Sequence, residues 1–213
     1  MKPQLLIFDL DGTLIDSRRD LAASINFMRK HYGLPPLPLA TVSGFVGDGI
    51  RKLVERSLAG QKNINLDEAV RLDYRHYLRH LHDKTVLYPG VAAGLKKLHK
   101  HGHLQALISN KGRRACLKIL EHFELEQFFS HVIGGDSRLP LKPAPDTVLA
   151  TMRKLKANAE NTWVIGDNHT DLAAARNAKV KSIFVGYGIG KTGVEKPFRR
   201  FDDFNSLTEY FTA

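Results

Sequence analysis

Two aspartates spaced two apart, Asp9 and Asp11, directly follow a short apolar run in Leu5-Leu6-Ile7-Phe8-Asp9-Leu10-Asp11-Gly12-Thr13. Acids placed just past a buried strand can divide one reaction between them. Asp9 can attack phosphorus as a carboxylate nucleophile and form an aspartyl-phosphate. Asp11 can protonate the leaving oxygen and then take a proton from the water that hydrolyses the intermediate. Gly12 permits the tight departure from the strand, and Thr13 can hydrogen-bond beside the nucleophile, toward bound substrate. The plainer alternative makes Asp11-Gly12 a turn and Asp9 a helix cap.

A phosphoryl group beside two carboxylates is repelled unless cations intervene. A hard divalent ion, normally Mg²⁺, suits oxygen ligands and keeps several waters. Asp9 and Asp167 can supply carboxylates to it, and Asp11 its backbone carbonyl. Asp171, four residues after Asp167, is a further ligand or an acceptor behind the ligands; alternatively it only opens a helix, where acids are favoured. Lys142 lies in Leu141-Lys142-Pro143-Ala144-Pro145, where two prolines stiffen the chain. It can hold Asp9 and the phosphoryl oxygens together. Ser109 and Asn110, at a strand end followed by a helical pattern, can bind phosphoryl oxygens there.

The elements that must bring these residues together alternate in kind. Short apolar runs at Leu5–Phe8, Leu104–Ile108, His131–Ile133, Trp163–Ile165 and Ile183–Val185 read as buried parallel strands. Helical patterns lie between them at Gly90–Lys100, Arg113–His122, Asp146–Leu155 and Asp171–Ala178. The pattern predicts an α/β fold, a doubly wound parallel sheet with helices on both faces. One crossover is far too long. Nearly a hundred residues separate the first strand from the second, and they carry helical patterns at Arg19–His31, Ile50–Leu58 and Leu66–Leu81 with a break at Pro35-Pro36-Leu37-Pro38. The reading is a core over 1–15 and 84–213 with an inserted all-helical cap over 16–83. Ligands of such sheets bind beyond the carboxyl ends of the strands, and Asp9, Ser109, Lys142 and Asp167 all fall at those ends.

Taken in order, these segments resemble the haloacid dehalogenase-like hydrolase superfamily. The matching stretches are Asp9-Leu10-Asp11-Gly12-Thr13, Ser109-Asn110, Lys142-Pro143 and Gly166-Asp167 through Asp171. The resemblance implies an aspartyl-phosphate mechanism, a Mg²⁺ cofactor and a helical cap inserted after the first motif. Within that superfamily Asp11 argues for phosphoryl transfer, because the dehalogenase branch lacks an acid there. The cap resembles that of phosphoglycolate phosphatases at Asp16-Ser17, Asp20-Leu21-Ala22-Ala23, Val46-Gly47-Asp48-Gly49 and Leu53-Val54-Glu55-Arg56. Gly47 and Gly49 would let backbone approach a substrate, and Arg51 or Lys52 would meet its carboxylate. Alternatively Asp48 caps the helix starting near Ile50 and Gly47 ends the one before. Asn168-His169 and Lys179 depart from the common pattern, which loosens the substrate assignment but removes no essential charge.

Composition narrows the alternatives. The 213 residues are 43 % hydrophobic and 25 % charged, ordinary for a globular protein. The +10 net charge comes from 32 Lys and Arg against 22 Asp and Glu and favours anionic partners. Those basic residues are dispersed without a nucleic-acid-binding motif, so a small phosphorylated metabolite is expected and nucleic acid is not. No apolar run is long enough to span a membrane, and Leu5–Phe8 is too short for an export signal. With Cys116 as the sole cysteine, a cytoplasmic location is expected. The oligomeric state is left open.

Three functional readings follow. The first is a Mg²⁺-dependent phosphatase of a small phosphomonoester, phosphoglycolate first, with sugar phosphates, nucleotides and pyrophosphate as other substrates. The second is a phosphomutase like β-phosphoglucomutase. The third is a non-catalytic protein using its basic surface. Gly186-Tyr187-Gly188-Ile189-Gly190-Lys191-Thr192 lacks nucleotide-loop spacing and is expected to be a mobile loop. Cys116 is expected to be packing, and the histidines not to form a metal site, with His169 alone near the chemistry.

Overall fold

The computed structural model describes residues 2–213. Its first strand shows why a continuous apolar run was needed. In β1 (Leu5–Phe8) all four residues are buried. Leu6 and Phe8 face one hydrophobic cluster, while Leu5 and Ile7 face a second. A strand covered on both sides has no polar face to show.

The remaining elements follow from that sandwiching. Chain order is β2 (Ile15–Asp16), α1 (Arg18–His31), α2 (Leu39–Ser43), α3 (Ile50–Ser57), α4 (Leu66–His80), β3 (Val86–Leu87), α5 (Val91–Lys100), β4 (Leu104–Ile108), α6 (Arg113–His122), β5 (His131–Ile133), α7 (Asp146–Lys154), β6 (Thr162–Gly166), α8 (His169–Asn177), β7 (Lys181–Val185), β8 (Arg199–Phe201) and α9 (Phe204–Thr212). Six strands form one parallel sheet in the order β5-β4-β1-β6-β7-β8. Helices α5, α6 and α9 bury Leu95, Ile119 and Phe204 on one face; α7 and α8 bury Val148 and Ala174 on the other. The chain first winds outward from β1 through β4 and β5, then restarts at β6 on the opposite side. That reversal opens a crevice at the carboxyl ends of β1 and β6.

Four helices, α1 to α4, occupy the long first crossover without a sheet strand between them. The two-residue strands β2 and β3 pair antiparallel at its base, Ile15 with Leu87 and Asp16 with Val86. Asp20 ties the returning chain to α1: its buried carboxylate accepts from the amides of Lys84 and Thr85 and from the Thr85 hydroxyl. The proline break is held from within. Asn26 bonds both backbone groups of Leu37, and the Arg29 guanidinium donates to the carbonyls of Pro35 and Ser57. No helix among the described residues is long and apolar enough to cross a membrane.

Five elements escaped the sequence reading. β8 and the paired strands β2 and β3 are two or three residues long, shorter than any readable alternation. α9 packs Phe204, Leu207 and Phe211 into the larger cluster. α2 is a five-residue helix directly after Pro38.

Candidate active site

Asp9 leaves β1 with its amide still bonded to the Ile165 carbonyl of β6, so its side chain emerges at the crevice between the two strands. Asp167, one residue past β6, emerges beside it. Asp171 follows one turn into α8. The three can present carboxylate oxygens within 4.8 Å of one another. Lys142 reaches them from the loop before α7. Its ammonium donates to Asp9 Oδ1 at 2.8 Å, to Asp171 Oδ1 at 2.6 Å and to the Ile108 carbonyl at 3.0 Å.

Three buried acids against one lysine leave an excess of negative charge. Burial drives the Asp9 carboxyl up to about 7; Lys142 pulls it down, while Asp171 and Asp167 push it up again. Asp167 is driven up to about 6 by burial and by Asp171, against the pull of two amides. Burial alone would discharge Lys142, but Asp171 and Asp9 outweigh it and hold it well above the ordinary lysine range. A bound divalent cation would relieve this crowding and let both aspartates ionise near neutrality, and their oxygens are of the donor type such ions take. The residues present fit it.

Two carboxylates are aimed by their surroundings. Asp167 Oδ2 accepts from the amides of Ile189 and Gly190, both at 2.7 Å, and Oδ1 from the Thr13 hydroxyl at 3.3 Å. The loop at 186–192, expected to be mobile, is therefore pinned against the site. Its glycines have a steric reason, since a Cβ at Gly188 would overlap the Asp167 side chain. Gly12 combines φ +86° with the same close approach to Asp167. Asp171 forms a capping box with Asn168, its Oδ2 accepting from the Asn168 amide at 3.1 Å while Oδ1 holds Lys142. Its oxygens thus hold Lys142 and the start of α8, and the same carboxylate lies within reach of a cation shared with Asp9 and Asp167.

Asp11 sits apart from that cluster. Its Oδ1 accepts from Lys111 Nζ at 2.6 Å and from the Ser17 hydroxyl, and Lys111 also donates to the Tyr77 hydroxyl at 2.6 Å. Ser109 lines the space between, and its hydroxyl accepts from the Lys111 amide. Asn110 is committed to backbone. Its side-chain amide donates to the carbonyls of Gly47 and Lys142, and its oxygen accepts the Lys142 amide. It joins the lysine loop to the helical insertion.

These groups open onto a cavity of about 420 Å³ between insertion and sheet. Of the residues singled out from sequence, Asp9, Asp11, Ser109, Asn110, Lys142, Asp167, Gly47 and His169 line it. Three expectations are corrected. Thr13 is fully buried behind Asp167 and does not line the cavity, so it cannot touch substrate; it steadies Asp167. Arg51 is exposed and paired with Asp67, outside the cavity. Arg56, five residues along α3 and so about 140° around the helix, lines the cavity instead, paired with Asp48 at 2.5 Å. The helix cap is Gly49, not Asp48. Cys116 is buried, with its thiol pushed up to about 12 by that burial, which suits packing. Lys111, Ser17, Tyr77 and the amides of Ile189 and Gly190 were missed. Lys111 left a signal by ending the Ser109-Asn110-Lys111 strand terminus, and Ser17 by its place in the Asp16-Ser17 stretch.

The haloacid dehalogenase-like hydrolase family model matches residues 6–185. A protein named phosphoglycolate phosphatase from Psychrobacter arcticus is 39 % identical, covering 99 % of this chain and 96 % of its own. Another of that name from Chromobacterium violaceum is 38 % identical over 85 % of this chain and 84 % of its own. The crystal structure of a predicted phosphoglycolate phosphatase from Haemophilus somnus 129pt superposes with a TM-score of 0.93 at 28 % identity, covering 99 % of this chain and 98 % of that one.

Proposed function

Because the chain belongs to the haloacid dehalogenase-like hydrolases and is a phosphoric monoester hydrolase, we propose that it cleaves a small phosphomonoester, phosphoglycolate first, through an aspartyl-phosphate on Asp9. The observation that carries this reading is the gathering of Asp9, Asp167 and Asp171 around Lys142 at the crevice floor.

The residues divide the work as follows. A carboxylate oxygen of Asp9 attacks phosphorus while the bond from phosphorus to the ester oxygen breaks. Asp11, as the acid, passes its proton to that departing oxygen. As a carboxylate it next removes a proton from water, whose oxygen attacks the phosphoryl group; the bond from Asp9 to phosphorus breaks and phosphate leaves. Lys142 and Ser109 steady the phosphoryl oxygens as charge shifts among them. Mg²⁺, held by the carboxylates of Asp9 and Asp167 and the Asp11 carbonyl, would neutralise phosphoryl charge and orient it for attack. Asp171 keeps Lys142 in place.

Residues 16–83 act as the cap that excludes water and selects the leaving group. The relatives named phosphoglycolate phosphatase support a short carboxylated leaving group. Among the described residues Arg56 is the one cap arginine or lysine lining the cavity, which makes it the candidate for that carboxylate. Cytoplasmic residence belongs to the same reading.

The test is phosphate release from phosphoglycolate, sugar phosphates, nucleotides and pyrophosphate, with Mg²⁺ and after its removal by chelation. Phosphoglycolate should give the highest kcat/KM, and chelation should abolish turnover while Mg²⁺ binding remains measurable by calorimetry. Interconversion of sugar phosphates without free phosphate would overturn the hydrolase reading in favour of a mutase. A different substrate ranking first would overturn phosphoglycolate alone.

A further inference from the structure

Lys111 has no part in the steps above, yet it is among the most constrained cations in the molecule. Its side chain is only 8 % exposed, against 12 % for its partner Asp11. Its backbone is fastened on both sides: the amide donates to Ser109 Oγ at 3.2 Å, and the carbonyl accepts from the Gly135 amide at 2.8 Å. The ammonium then bridges two bodies. It donates to Asp11 on the core and to the hydroxyl of Tyr77 on α4, and it lies 4.7 Å from the centre of the Tyr77 ring.

We propose that Lys111 is a positioning residue for Asp11, clamped by Tyr77 so that the acid–base carboxylate is aimed at the ester oxygen while the helical insertion sits on the core. The inference rests on the role proposed for Asp11 above. Its geometry is specific. Lys111 and Ser17 converge on the same oxygen, Oδ1; among the described residues no protein group bonds Oδ2. Fixing one oxygen by two donors removes rotation of the carboxylate and leaves the other for proton transfer. Displacing a reacting group by about 1 Å costs on the order of 10²-fold in rate. Tyr77 makes the aim conditional, because its hydroxyl reaches Lys111 only from across the interface.

The experiment combines Lys111→Met, Lys111→Arg, Tyr77→Phe, Asp11→Asn and the double variant Asp11→Asn/Lys111→Met, each checked for folding by circular dichroism. Two substrates are compared in single turnovers: the alkyl phosphate ranked first in the panel above, and p-nitrophenyl phosphate, whose leaving group departs without a proton. Lys111→Met should lower the alkyl phosphate rate roughly 10–100-fold with KM within about twofold. Release of p-nitrophenolate should stay within about threefold of wild type. Tyr77→Phe should show the same contrast more weakly, Lys111→Arg should restore part of the rate, and the double variant should be no slower than Asp11→Asn. Should Lys111→Met not fold, Tyr77→Phe, which keeps the packed ring, decides the matter by the same contrast.

Equal losses on both substrates would overturn the proposal in favour of a structural ion pair. A rise in KM confined to carboxylated substrates would overturn it in favour of direct substrate binding. Additive losses in the double variant would overturn it while leaving the Asp11 role intact. Full alkyl phosphate turnover by Asp11→Asn would instead overturn the acid–base reading itself, and this inference with it.

Discussion

The two sides of the cavity are held in place by different means. On the sheet side nearly every polar atom is buried and committed: Lys142 to two carboxylates and a carbonyl, Asp167 to two amides and a hydroxyl, Asp171 to Lys142 and an amide. On the helical side the pair that lines the cavity, Arg56 and Asp48, is only half-buried, and the other charges on α3 sit in exposed pairs. Arg51 and Asp67 are each 61 % exposed, and Lys52 and Glu55 are 57 % and 49 % exposed. Exposed pairs contribute about 0–1 kcal/mol, whereas breaking a buried one costs about 3–5 kcal/mol. One wall is therefore rigid enough to position reacting atoms, while the other can change its side chains at small cost. Reaction and substrate choice are separable in this molecule along that line.

The comparison breaks most readily at the nucleophile. Asp9→Asn should lower kcat by at least about 10⁴-fold, as removal of a covalent nucleophile does elsewhere, and acid quenching should recover no phosphoenzyme. Turnover near wild type would remove the sheet side's claim to the chemistry. Next comes Lys142→Met, with a fall in kcat of about 10²–10³-fold and a stability loss of about 3–5 kcal/mol by urea titration. Removing that lysine leaves Asp9 and Asp171 facing each other uncompensated.

The helical side also holds buried acids, Asp20 and Asp73, and Asp73 is the one left with an unpartnered oxygen among the described residues. Asp73 on α4 is 2 % exposed, its Oδ1 has no hydrogen-bond partner, and burial drives its carboxyl up to about 7. The folded protein then keeps that proton between about pH 4 and 7, where the unfolded chain has released it. Asp73 thus favours folding fully below pH 4, and its contribution is lost as pH rises through 7. We expect stability to fall by roughly 2–4 kcal/mol over that window from this group, a slope that Asp73→Asn should flatten in pH-dependent urea titrations. An unchanged slope would mean water reaches the carboxyl.

The smallest effects sharpen the contrast within α3. Arg56→Ala should raise KM for carboxylated substrates about tenfold, equivalent to about 1.4 kcal/mol, with kcat nearly unchanged. Arg51→Ala, on the far side of the same helix, should change stability by no more than about 0.5 kcal/mol and leave both constants alone. If the two variants behave alike, Arg56 does not read the substrate.

The same contrast decides what could be read from sequence. The strands β1, β4 and β5 and the helix α6 carry the limits read from periodicity, because burial on both faces or one leaves a pattern in residue type. Asp9, Asp11, Ser109, Lys142 and Asp167 were legible because a parallel sheet brings its strand ends to one edge. Arg51 was misjudged because spacing in the chain does not say which face of a short helix meets the sheet. The 186–192 loop was misjudged for a related reason: its contribution is backbone amides, which every sequence contains and none advertises.

The amino-acid order alone determined the alternating strands and helices, the long helical crossover and the acids and lysine at the strand ends. Each of those leaves its mark in residue type or local periodicity. Only the tertiary structure decided which oxygen of each carboxylate is occupied, that Lys111 spans from Tyr77 to Asp11, and that Arg56 rather than Arg51 faces the cavity. Those facts depend on the rotation and approach of elements tens of residues apart, and contacts at that range are set by packing of the whole chain.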